Sequence, residues 1–256
     1  MFSVKIQEVI DALEQFAPLP LQESYDNAGL QVGLTEADVS GALLCLDVTE
    51  EVVDEAVRRG CNLIVSHHPL LFRGLKCIGG GDYVQRTVMK AIKNDICVVA
   101  MHTNLDNAEG GVNYKIAELL ELDGVTFLAE CGSGAIGTLP AAVDPVRFIQ
   151  HVKDLFGVEC CMTNALLERP IRKVAVCGGA GSFLLDKALE KGADAFITGE
   201  MRYHEFFGAD RQIQIMVIGH YESEQYTTEV LRRIITAKFP GIRTEIYGST
   251  NPVRYW

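Results

Sequence analysis

The chain is expected to fold as an α/β protein of two similar halves related by a pseudo-twofold axis, in α/β/α layers with mixed or mostly parallel sheets. Three observations predict this. Two strand–helix–strand patterns recur at a constant offset of 132 residues. Histidines follow strand-like runs at matching places in the two copies. Hydrophobic residues make up 48% and charged residues 22% of a 256-residue chain, the composition of a globular protein long enough to bury a sizeable core.

The opening stretch "MFSVKIQEVIDALEQFAPLP" reads as an amphipathic helix over residues 3–17. Ser3 is its expected N-cap, Ile6, Val9, Ile10, Leu13 and Phe16 form one face, and Pro18 ends it. Charges at Lys5, Glu8 and Asp11 break any signal-peptide core, and no run of about 18 apolar residues follows anywhere. "ESYDNAGLQVG" then reads as a loop.

The first repeat unit is "ALLCLDVTEEVVDEAVRRGCNLIVSHH" from Ala42, and the second is "VAVCGGAGSFLLDKALEKGADAFITGE" from Val174. Cys45 aligns with Cys177, Asp54 with Asp186, Ala56 with Ala188 and Gly60 with Gly192. Val52, Val53, Ala56 and Val57 have the spacing of a helix packed on a sheet, as do Leu184, Leu185, Ala188 and Leu189. Gly60 and Gly192 stand where a left-handed residue ends a helix. Strand–helix–strand order implies parallel strands and a right-handed crossover.

A glycine loop at Gly79 to Gly81 should be mobile, with a helix near 83–94, a strand over 96–102 and a helix near 112–121. "GSGAIGTLPAAVDPVRFIQHVKDLFGV" reads as a strand plus a helix capped by Asp144 and stopped at Gly157. A helix from about 224 to 238 and a short strand close the chain. The expected halves are residues 1–125, carrying His67, His68, His102 and Asp106, and residues 126–256, carrying His220 and Glu224. No third domain is inserted between them.

The formal charge of −11, with no Lys/Arg-rich run, disfavours nucleic acid as a partner. Eight cysteines contain no CxxC pair, and several lie in strand-like runs where a thiol acts as a small hydrophobe. Reduced thiols and a cytoplasmic, membrane-free location are therefore expected.

Of six histidines, His67, His68, His102 and His220 lie at the C-terminal ends of expected parallel strands, where α/β sheets bind ligands. "ICVVAMHTNLD" and "IQIMVIGHYESE" each end a strand with a histidine and place an acid four residues on, Asp106 after His102 and Glu224 after His220. Imidazole with carboxylate suits Zn, Fe, Mn or Ni. Five or six donors exceed what one tetrahedral ion needs, which suggests two divalent metals per chain. Glu224 is expected in the first turn of a helix, where the dipole favours its charge. Singly, each histidine is more often packed than ligating, and His151 keeps that reading. Glu200, where the repeat places His68, and His204 are candidate proton shuttles. "CGGAGS" joins a strand to a helix, so Gly178, Gly179, Gly181 and Ser182 are a candidate phosphate site, although a tight turn capped by Ser182 explains them as well.

"YDNAGLQVG", "SHHPLLF", "HTNLDNAEGGVN", "ITGE" and "GHYESE", in this order, resemble the motifs of the NIF-three-like family, whose members carry the name GTP cyclohydrolase 1 type 2. The resemblance implies intertwined α/β halves with a dinuclear metal site, and ligands at His67, His68, Asp106, His220 and Glu224 with His102 nearby. Tyr221 stands where many members carry a second histidine. The resemblance further implies a homo-oligomer, in relatives a hexamer, and a small-molecule, nucleotide-like substrate. A metal-dependent hydrolase, with GTP ring opening as one candidate reaction, is the leading expectation. A metal-bound regulatory or scaffolding protein, or one that stores or delivers metal, is the alternative.

Overall fold

A computed structural model describes residues 3–248, 251–254 and 256. The chain forms two compact units, the first from Met1–Ala108 with Thr227–Trp256 and the second from Glu109–Tyr226. The first contains α1 (Ile6–Phe16), β1 (Gly29–Val32), β2 (Ala42–Cys45), α2 (Glu50–Arg59), β3 (Leu63–Ser66), α3 (Tyr83–Lys93), β4 (Cys97–Ala100) and α4 (Thr103–Asp106). The second contains α5 (Val112–Leu119), β5 (Asp123–Phe127), β6 (Ala135–Val143), α6 (Pro145–Phe156), β7 (Met162–Thr163), β8 (Ile171–Cys177), α7 (Leu185–Glu190), β9 (Ala195–Thr198), β10 (Gln214–Val217) and α8 (His220–Glu224). Then α9 (Thr227–Lys238) and β11 (Thr244–Ile246) return to the first unit.

The first sheet has the order β1-β4-β3-β2-β11, parallel except for β1, and the second has β5-β6-β8-β9-β10-β7, parallel through β8, β9 and β10. Both contain one shared pattern, three parallel strands with an antiparallel strand beside the third. The repeat extends to register: Ala42 pairs with Leu63 and Val174 with Ala195, each 132 residues on. All four residues of β2, β3, β4, β9 and β10 are buried, as expected of parallel strands covered on both faces.

Local chemistry sets the helix limits. Thr49 caps α2 by accepting from the Val52 amide, Glu50 and Glu51 fill the first turn, and Gly60 ends it at φ 65°. Val52, Val53 and Ala56 are buried, whereas Val57, assigned above to the same face, is 48% exposed. Asp144 caps α6 as expected, accepting from Val146 and Arg147. The first helix starts at Ile6 rather than Ser3, with Lys5 at its cap and joined to Asp38. In the loop at 79–81 the Gly79 and Gly81 amides donate to the Gln85 Oε1 atom.

The expected halves, residues 1–125 and 126–256, do not coincide with the compact units. β11 pairs in parallel with β2, and α9 packs on α1 and β2, so the last segment completes the first sheet. Likewise α5 and β5 belong to the second unit, with β5 paired to β6. Among the described residues no helix is long and apolar enough to cross a membrane.

Phe196 on β9 is fully buried within the second unit's core. Phe196→Ala should lower unfolding free energy by about 3–5 kcal/mol in urea titrations, through lost burial and the cavity left behind. A loss under about 1 kcal/mol would contradict this packing.

Candidate metal centre

β3 delivers His67 and His68 beyond its last ladder residue. Their amides continue the pairing, His67 to the Cys45 carbonyl at 3.1 Å and His68 to the Leu46 carbonyl at 2.9 Å. Both rings are thereby carried on rigid backbone. His102 follows β4 and caps α4, and Asp106 closes that single turn, its amide donating to the His102 carbonyl. The ring centroids of His67, His68 and His102 lie 4.8 to 5.4 Å apart, and one nitrogen from each falls within 4.8 Å of the others. Asp106 Oδ1 is 3.8 Å from His67 Nε2, beyond a direct hydrogen bond and suited to two ligands of one ion.

Each ring is held from behind. His67 Nδ1 faces the Met101 carbonyl at 2.9 Å, His68 Nδ1 faces Asp47 at 2.9 Å and His102 Nδ1 faces Asp26 at 2.7 Å. A carbonyl only accepts, so His67 carries its proton on Nδ1 and presents the lone pair of Nε2. The carboxylates favour the same tautomer in the other two rings, the arrangement that metal-binding histidines adopt.

The second unit holds the fourth ring in the same manner. Gly219, at φ 102°, turns the chain out of β10 into α8, so that His220 begins that helix and Glu224 ends it. His220 Nδ1 meets Glu200 Oε1 at 2.7 Å, and its Nε2 lies 3.1 Å from Glu224 Oε2. Glu224 therefore sits at the last position of a short helix, not in a first turn, and the helix-dipole argument for its charge does not hold. Its side chain is only 5% exposed.

Glycines make room for this acid. A Cβ on Gly179, itself at φ +60°, would sit 2.3 Å from Glu224 Oε1. One on Gly199 would meet the Gly179 carbonyl and Ser223 Oγ at 2.7 Å. In the candidate phosphate loop three backbone amides have acceptors within the protein. The Gly178 amide donates to Asn113, that of Gly179 to Ser223 and that of Gly181 to Thr198. Those donors are committed to the fold, and Ser182 starts a 3-10 turn without capping a helix. The two candidate proton shuttles lie in different surroundings. Glu200 orients His220, while His204 lies exposed on a 3-10 segment with its ring against Tyr203 and Phe207.

Sequence reasoning missed Asp26 and Asp47. Asp26 belongs to the motif "YDNAGLQVG", and Asp47 follows β2 as His67 and His68 follow β3, which was the available signal. Burial works against the charge of Asp26, but hydrogen bonds from His102 and Thr103 outweigh it and hold the carboxyl down at about 2. Burial, aided by Glu222, pushes the Tyr221 phenol up, so it stays protonated at neutral pH. Burial also raises the thiols of Cys45 and Cys97, the latter to about 11, in keeping with apolar packing rather than ligation.

A carboxyl with a depressed native pKa contributes stability at neutral pH that fades as pH falls through about 4 toward about 2. Asp26→Asn should therefore be less stable than the metal-free parent at pH about 6, with the gap closing near pH 2.5. Urea unfolding across that range tests this, and a constant gap would refute it.

The sequence model described as Duf34/NIF3 (NGG1p interacting factor 3) matches residues 4–252. A Clostridium acetobutylicum protein named GTP cyclohydrolase 1 type 2 homolog is 31% identical, covering 98% of this chain and 97% of its own. One of the same name from Clostridium perfringens is 36% identical, covering 86% and 87%. Among solved structures, a Bacillus cereus protein related to NIF3 matches over the whole of both chains with a TM-score of 0.90 at 26% identity. A hypothetical protein from Staphylococcus aureus does so with a TM-score of 0.91 at 25% identity. Matched by this family model over residues 4–252, and by a relative 31% identical along nearly its whole length, the chain belongs to the Duf34/NIF3 family.

Proposed function

We propose that the protein is a metal-dependent hydrolase that binds two divalent ions, with His67, His68 and Asp106 as candidate ligands in the first unit, His102 as a further one there, and His220 and Glu224 as candidate ligands in the second. The observation that carries this reading is the common arrangement of four rings, each with Nδ1 on an acceptor, the orientation that ligating histidines adopt. Mixed nitrogen and oxygen donors suit two divalent ions of the Zn, Fe, Mn or Ni class. When bound, such ions supply Lewis acidity and a coordinated water that ionises near neutral pH.

The chain's own groups would do the rest. Asp26, Asp47, Glu200 and the Met101 carbonyl fix the rings and raise their basicity. Gly178 and Gly179 keep backbone close to Glu224 without blocking its carboxylate. Tyr221, protonated and partly buried, is suited to donate a hydrogen bond rather than act as a base. The relatives' name suggests GTP ring opening as the reaction to try first. The committed amides of Gly178, Gly179 and Gly181 count against that loop holding a phosphate.

Purified protein should contain close to two divalent ions per chain by elemental analysis, and a nucleotide and amide hydrolysis panel should give a turnover that chelation abolishes. Asp106→Asn and His220→Ala should each abolish that turnover while circular dichroism stays native. Metal bound without turnover on any substrate would favour a scaffolding role, and metal lost rapidly to competitor would favour delivery. Glu200→Gln should weaken metal affinity about 10–100-fold in competition titrations, as expected for an orienting partner of a ligand histidine. Unchanged affinity would remove Glu200 from that role.

A further inference from the structure

We propose that the cavity beside His68 binds an organic cation, a primary ammonium or amidinium on a flat apolar body, and that it rejects phosphate. The cavity has a volume of about 270 Å³ and lies wholly within the first unit. That is just below the usual range of small-molecule pockets, so it suits one functional group on a ring rather than a whole nucleotide.

Its lining has three kinds of group. Val48, Val52 and Leu70 give an apolar base and are buried in the core. Tyr83 and Tyr247 supply aromatic surface, on which cations rest favourably. Asp47 and Glu51 supply the charge, and neither a lysine nor an arginine lines the cavity among the described residues. Asp47 lies against His68 Nδ1 at the cavity wall. Among the described lining residues an entering phosphate would thus meet two carboxylates and no lysine or arginine, in a chain of net charge −11.

One feature favours an anion, since α2 starts at Thr49, which also lines the cavity. Glu50 and Glu51 already occupy that first turn and cancel its field. The remaining chemistry selects a cation. As a substrate subsite the cavity rests on the hydrolase reading, because only that reading gives His68 a reacting neighbour. As a binding site it does not.

Benzamidine, benzoate and inorganic phosphate are the probes, titrated calorimetrically into the purified full chain before and after chelation. Benzamidine should saturate in both states, and the isosteric benzoate and phosphate should not bind after chelation. Glu51→Gln should weaken benzamidine about three- to tenfold, and Glu51→Lys should abolish its binding. Glu51 is exposed on the first turn of α2, so these variants should fold. Benzoate or phosphate binding the chelated protein as well as benzamidine does, or benzamidine indifferent to Glu51→Gln, would overturn the proposal. Benzamidine bound in the predicted way by a protein that hydrolyses nothing would refute the hydrolase reading alone.

Discussion

The candidate metal-binding groups of both units depend on how their histidines are oriented. A neutral imidazole offers one lone pair, and the partner of one nitrogen decides which atom carries it. In this protein Nδ1 of His67, His68, His102 and His220 is engaged by one carbonyl and three carboxylates. The acceptors come from separate places: a loop before β1, the end of β2, the residue after β4 and a position just beyond β9. Strand ends thus provide the candidate ligands and, with one loop, the groups that aim them. Moving any one strand by a residue would turn a ring or its anchor away, since side chains alternate faces along a strand.

The two copies of the repeat share their plan but differ in detail. Ser66 pairs with Ala100 and Thr198 with Val217, so His102 lies two residues past its last strand pair whereas His220 lies three past. The additional residue is accommodated at Gly219, whose positive φ few other residues would tolerate. His102 therefore precedes its helical turn, and His220 lies within one. In the second copy the acid lies against its own histidine and is enclosed by glycine backbone. In the first, Asp106 stands off from the buried His67.

Much of this was legible in the sequence, for identifiable reasons. The repeat could be read because helix faces and glycine stops obey short-range periodicity, and the pairing at Ala42 and Val174 bears it out. Histidines at strand ends were legible for the same reason. β1, β5 and β7 were not, being short strands at or near sheet edges with partly exposed residues and no clear alternation. The acceptors of the Gly178–Gly181 amides were not legible, because an amide donor looks the same in sequence whether or not Asn113, Ser223 or Thr198 will claim it. The place of Glu224 at the end of its helix depended on α8 and α9 being separate, a break that continuous helical periodicity conceals.

The path of the chain carries a consequence for synthesis. The second unit is one uninterrupted stretch, whereas the sheet of the first is finished only when β11 pairs with β2, some two hundred residues upstream. A ribosome therefore releases a self-contained insert before its host is complete. Closing so long a loop is entropically costly and slow. Until then the outer edge of β2 lacks its final neighbour, leaving a nascent state open to wrong strand partners and to capture by chaperones.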